Sequence, residues 1–379
     1  MARQTRDDSL SKRKNRGLSA DPVVSVIVPT YNREAILEKC LRGLLAQTFP
    51  AGLYEVIVID DGSTDGTREM VKDLIRQWNA RAPETRGGGT ARESSDVPPC
   101  PLVYRYRSHT CAAAARNEGI KVARGALLIF LDSDIVTRAG FVEAHVNEHV
   151  SEAVREGGCL QSESAKVWHD GGDLAIVLDN SRVIVHGRVI YTTNLDDPTT
   201  EPRKITDIST AFFASGNVSI ARRWVVEAGL FDEDFTEYGW EDLELGKRLK
   251  KLGLRVVRSE APAGYHLKRE FGIEDLPAIR RREIERGHMA MVYVRKHPTF
   301  SVRMTTMTVA PFIWIVSILG MGGWPDRPGA VRVLERLRRR GSRALLAVVL
   351  QIMVYYWYVQ GIREASAHPR QRGRSGGHP

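Results

Sequence analysis

Apolar positions in the first third of the chain follow two alternating rhythms. Short runs with few charges occur at Val23–Val28, Tyr54–Ile59, Val103–Tyr106 and Leu127–Leu131. Runs this short and this apolar read as strands of a parallel sheet covered on both faces. Between them the apolar residues are spaced for helices. Ile36, Leu37, Cys40, Leu41, Leu44 and Leu45 form one stripe, and Thr67–Trp78 and Ala112–Ala123 predict two more helices. Pro29 is expected to end the first strand, because proline has no N–H for a ladder. Strand and helix therefore alternate with short connections, the pattern of an α/β, doubly wound, mostly parallel sheet.

Further along, the pattern changes. Residues 80–101 have no periodicity and many Gly, Pro and Ser, so they read as a flexible insertion. Between 173 and 193, β-branched runs such as Val183-Ile184-Val185 and Val189-Ile190-Tyr191 suggest strands. A helix is expected from about Trp240, with Leu245, Leu249 and Leu252 as its apolar stripe, and then a strand at Leu254–Val257. Two long uncharged segments close the chain, Met304–Trp324 and Ala344–Ile362. The first is about long enough for a membrane span and the second marginal, against a requirement of roughly 20 residues. They flank an arginine-rich stretch, Asp326–Arg343. A two-span hairpin on a cytosolic domain would carry that stretch across the bilayer, against the positive-inside tendency. The expectation is membrane association through 304–362, spanning or interfacial.

Composition narrows the class. The 379 residues are 42% hydrophobic and 27% charged, ordinary for a globular protein with a sizeable core. Net charge is +9, concentrated in the first sixteen residues and the C-terminal third. That distribution suits basic extensions able to touch anionic lipid or nucleic acid and not a uniformly basic binding face, and no nucleic-acid partner is expected. Residues 1–20 and 366–379 read as disordered basic tails. Cys40, Cys100, Cys111 and Cys159 lack metal-like or paired spacing, so reduced thiols in the cytosol are expected. The polar N-terminus has no signal-peptide pattern.

The chemistry-bearing residues gather at predicted strand ends. The Leu127–Leu131 run stops at Asp132-Ser133-Asp134, two carboxylates one residue apart. Such a pair at the carboxyl edge of a parallel sheet suits a hard divalent cation and a phosphorylated ligand; a plain Asp-Ser-Asp turn is the bland alternative. Asp60 and Asp61 end the second strand, and the Pro29-Thr30-Tyr31-Asn32 loop lies beside them. Asp60 or Asp61 can accept hydrogen bonds from a nucleobase N–H or a ribose hydroxyl. Asp242, three and seven residues before Leu245 and Leu249, shares their inward side, where a carboxylate with a raised pKa could act as a general base. Glu241 and Glu244 are explained by the helix dipole. His145, Glu148 and His149 lack a third ligand and read as a solvated helix face.

In order and spacing, four motifs resemble the family 2 glycosyltransferases of GT-A fold. They are Ser25–Arg33 (SVIVPTYNR), Val58–Gly66 (VIDDGSTDG), Ala113–Asn117 (AAARN) and Leu131–Asp134 (LDSD). The resemblance covers roughly residues 23–270. It implies a GT-A domain over 21–275, a nucleotide-sugar donor (usually UDP-linked), Mg2+ or Mn2+, and inversion at the anomeric carbon, while the two uncharged segments make 276–365 a helical membrane-associating region. By resemblance, the donor would contact Pro29, Thr30, Tyr31, Asn32, Asp60, Asp61, Arg116, Asp132 and Ser133. Asp134, with Asp132 and His266, would hold the metal. Tyr238-Gly-Trp-Glu-Asp242 resembles the family's galactosyltransferase-like Glu-Asp motif, which makes Asp242 the base with Glu241 beside it. Cys111 stands where many relatives have Gly, so donor preference does not transfer. A glycan or lipid-linked acceptor and a site on the cytoplasmic face of the membrane complete the expectation. A non-catalytic nucleotide-sugar-binding or scaffold protein is the alternative.

Overall fold

The computed structural model describes residues 21–80, 100–155, 171–194, 197–202, 209–267 and 272–367. The expected basic tails, most of the 80–101 insertion and Cys159 lie outside these residues. The chain divides into two compact units. The first holds residues up to 110, 114–231 and 245–268, and the second holds 111–113, 232–244 and 269 onward.

The first unit is built on a seven-stranded sheet of β1 (Val24–Thr30), β2 (Tyr54–Asp60), β3 (Leu102–Tyr106), β4 (Leu127–Leu131), β6 (Val183–His186), β8 (Asn217–Ala221) and β9 (Arg255–Arg258). Their order across the sheet is β3-β2-β1-β4-β8-β6-β9. β3, β2, β1 and β4 run parallel, β8 is antiparallel to β4 and β6, and β6 is parallel to β9. Every residue of β4 is buried, as its uninterrupted apolar run predicts. The first strands are joined by helices α1 (Glu34–Leu45), α2 (Thr67–Asn79) and α3 (Ala112–Val122). Leu37, Cys40, Leu41, Leu44 and Leu45, five of the six predicted stripe positions on α1, are buried. Helices α4 (Phe141–Arg155), α5 (Gly171–Asn180) and α6 (Arg222–Glu227) follow.

One local expectation is corrected and another is sharpened. β1 runs through Pro29, which pairs with Ile59 of β2, whereas pairing with β4 stops at Ile27 and Phe130. Beyond Ile27 no strand needs an N–H on that side, so proline costs nothing there. The two β-branched runs are strands as expected, Val183–His186 and Val189–Thr192, and the residues before them, 171–180, form α5. Leu174 and Leu178, four apart, are buried, which is a helical and not a strand spacing.

A second sheet of three strands holds β5 (Ile135–Thr137), β10 (Gly264–Leu267) and β7 (Val189–Thr192), in that spatial order. β10 runs antiparallel to β5 and parallel to β7, with His266 opposite both Ile135 and Tyr191. The chain thus leaves the large sheet at β4, turns through Asp132-Ser133-Asp134, and enters the small sheet at β5.

Helix α7 (Glu241–Lys251) begins in the second unit and continues into the first, where Leu245 and Leu249 are fully buried. The rest of the second unit is helical: α8 (Leu276–Lys296), α9 (Phe300–Thr305), α10 (Ala310–Leu319), α11 (Pro328–Arg339) and α12 (Arg343–Ala367). α8 and α12 pack closely, because Gly287 and Gly361 leave no side chain between the backbones. A Cβ on Gly287 would fall inside contact with the Tyr358 carbonyl oxygen, and one on Gly361 would meet that of Ile284.

Candidate active site

Strand order reverses between β1 and β4, since β2 and β3 lie on one side of β1 and β4 on the other. The crevice outside the carboxyl ends at such a switch point is where open α/β sheets bind ligands. Thr30, Asp60 and Asp132 stand at or just past those ends.

On the β2 side, Asp60 is fully buried. It accepts hydrogen bonds from the Tyr104 hydroxyl at 2.6 Å and from the Ser63 N–H at 2.8 Å. Asp61 meets the His109 Nδ1 at 2.8 Å, the Arg107 Nε at 3.6 Å and the Thr110 N–H at 3.2 Å. Burial pushes its carboxyl above the usual carboxylate range, and the Thr110, His109 and Arg107 contacts offset this only in part. Gly62 has φ +85°, and a Cβ there would lie 2.6 Å from the His109 backbone nitrogen. Only glycine lets the 107–110 segment close over Asp61.

The β1 loop is zipped to the same segment. Asn32 takes φ +50°, which asparagine tolerates better than most residues. Its Oδ1 accepts the Thr64 N–H at 2.7 Å, and its own N–H donates to the Ser63 Oγ at 2.9 Å. Tyr31 stacks on His109, ring centroids 4.2 Å apart and 17° from parallel. The Thr30 hydroxyl is buried and has no hydrogen-bond partner among the described residues. A buried polar atom without a partner is costly in a finished core and natural where a ligand completes it.

On the β4 side the two readings of Asp132-Ser133-Asp134 prove compatible. The Ile135 N–H donates to the Asp132 carbonyl at 3.1 Å, which closes a turn, and that turn presents both carboxylates. Asp132 lies 3.5 Å from the Nη2 of Arg116, whose guanidinium is buried over the Phe231 ring. Gly216 supports the turn from β8, its carbonyl accepting the Asp132 N–H at 3.1 Å. Asp134 receives the His266 Nε2 at 3.1 Å and the Arg33 Nη1 at 3.4 Å. Burial alone would raise the Asp134 carboxyl, but the hydrogen bond and charge of His266 and the charge of Arg33 prevail. Its pKa falls below the usual range. The small sheet creates this pairing, for the Leu267 N–H bonds the Asp134 carbonyl at 2.9 Å, and Tyr191 lies against the His266 ring at 5.0 Å.

Arg33, Tyr104, Arg107 and His109 escaped the sequence reading. Arg107 and His109 follow β3 at the edge that carries Asp60 and Asp61, and that register was the available signal. His145 and His149 overturn the solvated-face expectation, since both rings are fully buried. His145 bonds Ser219 Oγ and Asn217 Oδ1, each at 2.9 Å. His149 bonds Ser181 Oγ at 2.7 Å and Ser219 Oγ at 2.9 Å. Glu148 accepts the Ser259 hydroxyl at 2.6 Å. These residues tie α4 to β8 and are occupied with structure.

In the second unit, Glu241 and Asp242 open α7 after a strained turn in which Gly239 has φ +101° and Trp240 φ +77°. The Trp240 indole N–H donates to the Arg286 carbonyl at 2.9 Å, and its ring packs near Tyr293 and Tyr358. Left-handed backbone at a bulky residue persists only where packing enforces it, and such strain gathers at functional positions. Glu244 is buried against His297 at 2.8 Å.

The family model described as glycosyl transferase family 2 matches residues 25–225, more than half of the chain. The chain belongs to glycosyl transferase family 2. With that membership, the doubly wound, mostly parallel sheet is the GT-A domain that the motifs led us to expect. Among curated relatives, a validoxylamine A glucosyltransferase from Streptomyces hygroscopicus subsp. limoneus is 29% identical over 295 residues. That alignment covers 73% of this chain and 57% of the relative. A hyaluronan synthase from Pasteurella multocida is 28% identical over 260 residues, 64% of this chain and 24% of the synthase. The family 2 chain thus spans less than two thirds of either. Among solved structures, a mannosyltransferase from Pyrobaculum calidifontis in complex with GDP-Man and Mn2+ aligns over 97% of this chain and 95% of its own. Its sequence identity is 16% and the TM-score 0.46.

Proposed function

We propose that this family 2 protein transfers a sugar from a nucleoside-diphosphate sugar, UDP-linked by resemblance, to a hydroxyl of a glycan or lipid-linked acceptor, with inversion. The observation that carries the reading is the meeting of Asp60, Asp61, Arg116, Asp132 and Asp134 at one switch point of a parallel sheet. In this reading the Asp60–Asp61 side and Pro29–Asn32 hold the nucleoside. The unpartnered Thr30 hydroxyl and the Tyr31–His109 stack offer a hydrogen bond and an aromatic face. Arg116 and Ser133 lie on the diphosphate side.

The donor types at Asp134 suit the implied metal, while among the described residues no three His, Cys, Asp or Glu side chains stand together as a ready-made cluster. A carboxylate held ionised, an imidazole 3.1 Å away and a second carboxylate on the same turn combine hard oxygen with nitrogen, which suits Mn2+ or Mg2+. Asp132, Asp134 and His266 would hold the ion, which when bound supplies charge to the departing nucleoside diphosphate. Arg33 and Arg116 add fixed positive charge on the same side. Asp242, with Glu241 beside it in the Glu-Asp motif, accepts the proton of the attacking acceptor hydroxyl. The reading locates the enzyme on the cytoplasmic face of the cell membrane; the two apolar C-terminal segments support the membrane association alone.

A screen of nucleotide sugars for metal-dependent hydrolysis tests the activity and identifies the donor. Asp242→Asn should lower turnover about 10²–10⁴-fold, the range for losing a general base, while calorimetry shows donor binding retained. Turnover close to wild type in that variant would reject the base assignment. Donor binding with no turnover in the wild-type chain, toward any acceptor, would make the protein a binding module.

A further inference from the structure

The C-terminal apolar segments are long and apolar enough to cross a bilayer, yet each carries a structural feature that opposes it. Residues 300–319 are broken between α9 and α10, where Met307 takes φ +50° and Val309 is extended. α10 alone has ten residues, about 15 Å of helix against a hydrocarbon core of about 30 Å. α12 has 25 residues, but its C-terminal half belongs to the packed interior of the second unit. Met353, Trp357, Tyr358 and Ile362 are buried there, and Glu364 bonds His288 of α8 at 3.0 Å. α8 itself carries Arg280, Arg281, Arg282, Glu285, Arg295 and Lys296, charges that are costly in a hydrocarbon core, and that half of α12 is packed on it. Only residues 343–352 remain for lipid, about 15 Å again.

What these helices leave uncovered is regular. On α10 the exposed positions after Ala310 are Pro311, Trp314, Ile315, Ile318 and Leu319, a full i, i+3, i+4, i+7, i+8 stripe, with Trp314 66% exposed and Met321, just past the helix, 76%. Val316 is buried, and Phe312 and Ile313 face the Ala290–Tyr358–Ile362 cluster, so the stripe looks outward from a seated helix. Leu345 and Val348 extend the exposed apolar surface onto the start of α12. α11 is amphipathic the other way. Ala330 and Leu334 pack inward, and Arg332, Arg336 and Arg339 line the opposite face, with Arg338, Arg340 and Arg343 following. All six arginines are exposed, and none pairs with a carboxylate among the described residues.

From this geometry we infer that the second unit is a one-leaflet membrane dock. The α10 stripe and the first turns of α12 enter the acyl region of a single leaflet, and the arginines of α11 and Arg343 engage anionic lipid headgroups. The charge decides the occupant. A second copy on the same surface would bring two unpaired arginine sets together, whereas anionic lipid neutralises them. One-leaflet docking also keeps Asp326–Arg343 on the side of the catalytic domain, which removes the conflict with the positive-inside tendency. The inference stands apart from glycosyl transfer, so either can fail alone.

The test uses the full chain with phosphatidylcholine vesicles, with and without 30% phosphatidylglycerol (about that share), in flotation assays. Binding is expected on the anionic vesicles and should weaken with salt. Replacing Arg332, Arg336 and Arg339 together by Gln should weaken it about hundredfold, from about fivefold per charge. Ile315→Glu with Ile318→Glu should abolish it while nucleotide-sugar hydrolysis stays at wild-type level. Arg340→Cys and Lys72→Cys, in a chain with Cys159 replaced by Ser, then report topology through an impermeant maleimide in sealed vesicles. Labelling of both from the same side supports one-leaflet docking. Protection of Arg340→Cys while Lys72→Cys reacts means a spanning hairpin and overturns it. Failure to float, with a dimer in sedimentation that Ile315→Glu dissociates, means an interface between copies and also overturns it.

Discussion

Acid should destabilise this protein through two histidines that no catalytic reading uses. Burial pushes the His145 imidazole down to about 4, against the Asn217 hydrogen bond and with the His186 charge. Burial and the His145 charge push His149 down to about 3. Both rings are neutral in the folded chain and titrate near 6.5 when exposed. Folded values below the unfolded one mean that the unfolded chain binds more protons as pH falls. The stabilisation is therefore complete above about pH 6.5 and is lost as pH drops toward 4 and then 3. From pH 7 to pH 5 each ring costs about 2 kcal/mol by that linkage, about 4 kcal/mol together, with a limiting slope near 2.7 kcal/mol per pH unit. Against a typical stability of about 5–15 kcal/mol this is a large fraction. Urea unfolding followed by tryptophan fluorescence across pH 5–7 measures it. His145→Gln and His149→Gln, which keep some hydrogen-bonding capacity, should each remove about half of the pH slope even where they lower stability. A wild-type slope near zero over that interval, or an unchanged slope in both variants, would refute the burial argument.

Other outcomes follow from single contacts. Asp134→Asn removes the charge that pairs with His266 and Arg33, so Mn2+ affinity should fall at least tenfold in calorimetry while circular dichroism stays unchanged. Gly62→Ala places a Cβ 2.6 Å from the His109 nitrogen at φ +85°. The left-handed backbone and the displaced segment should together cost about 2–4 kcal/mol in urea unfolding and weaken UDP binding. Gly361→Leu drives a side chain into the Ile284 carbonyl and should separate α8 from α12, seen as early protease cleavage within 276–367 while the first unit stays resistant.

Much of the first unit was readable before folding, because a strand covered on both faces must be apolar throughout. Leu127–Leu131 announced β4 to the residue, and the α1 stripe returned five buried positions out of six. The motif order also led to the family, since Thr30 and Asp60 end a strand, Asp132 follows one, and parallel strands end on one edge. Local pattern failed where a partner strand or a packing environment decides. Pro29 sits inside β1 because β4 stops pairing at Phe130, a fact located a hundred residues away. His145 and His149 carry polar letters at helical spacing and so looked solvated. Ser181, Asn217 and Ser219 supply the hydrogen bonds that let both rings be buried.

The Asp132-Ser133-Asp134 turn shows the division most clearly. Its position at a strand end, its two carboxylates and its place in an ordered set of motifs are properties of the sequence, because they depend on strand periodicity and chain order alone. That Asp132 faces Arg116 while Asp134 faces His266 was decided only by tertiary structure. His266 is more than a hundred residues downstream, and it arrives because β10 pairs with β5 in the one register that sets it opposite Ile135. The C-terminal segments follow the same rule. Their hydropathy is written in the sequence, but a break at Met307 and the packing of α12 on charged α8 decide how much of that length lipid can take. Hydropathy is a sum over neighbours in sequence, and burial is a sum over neighbours in space.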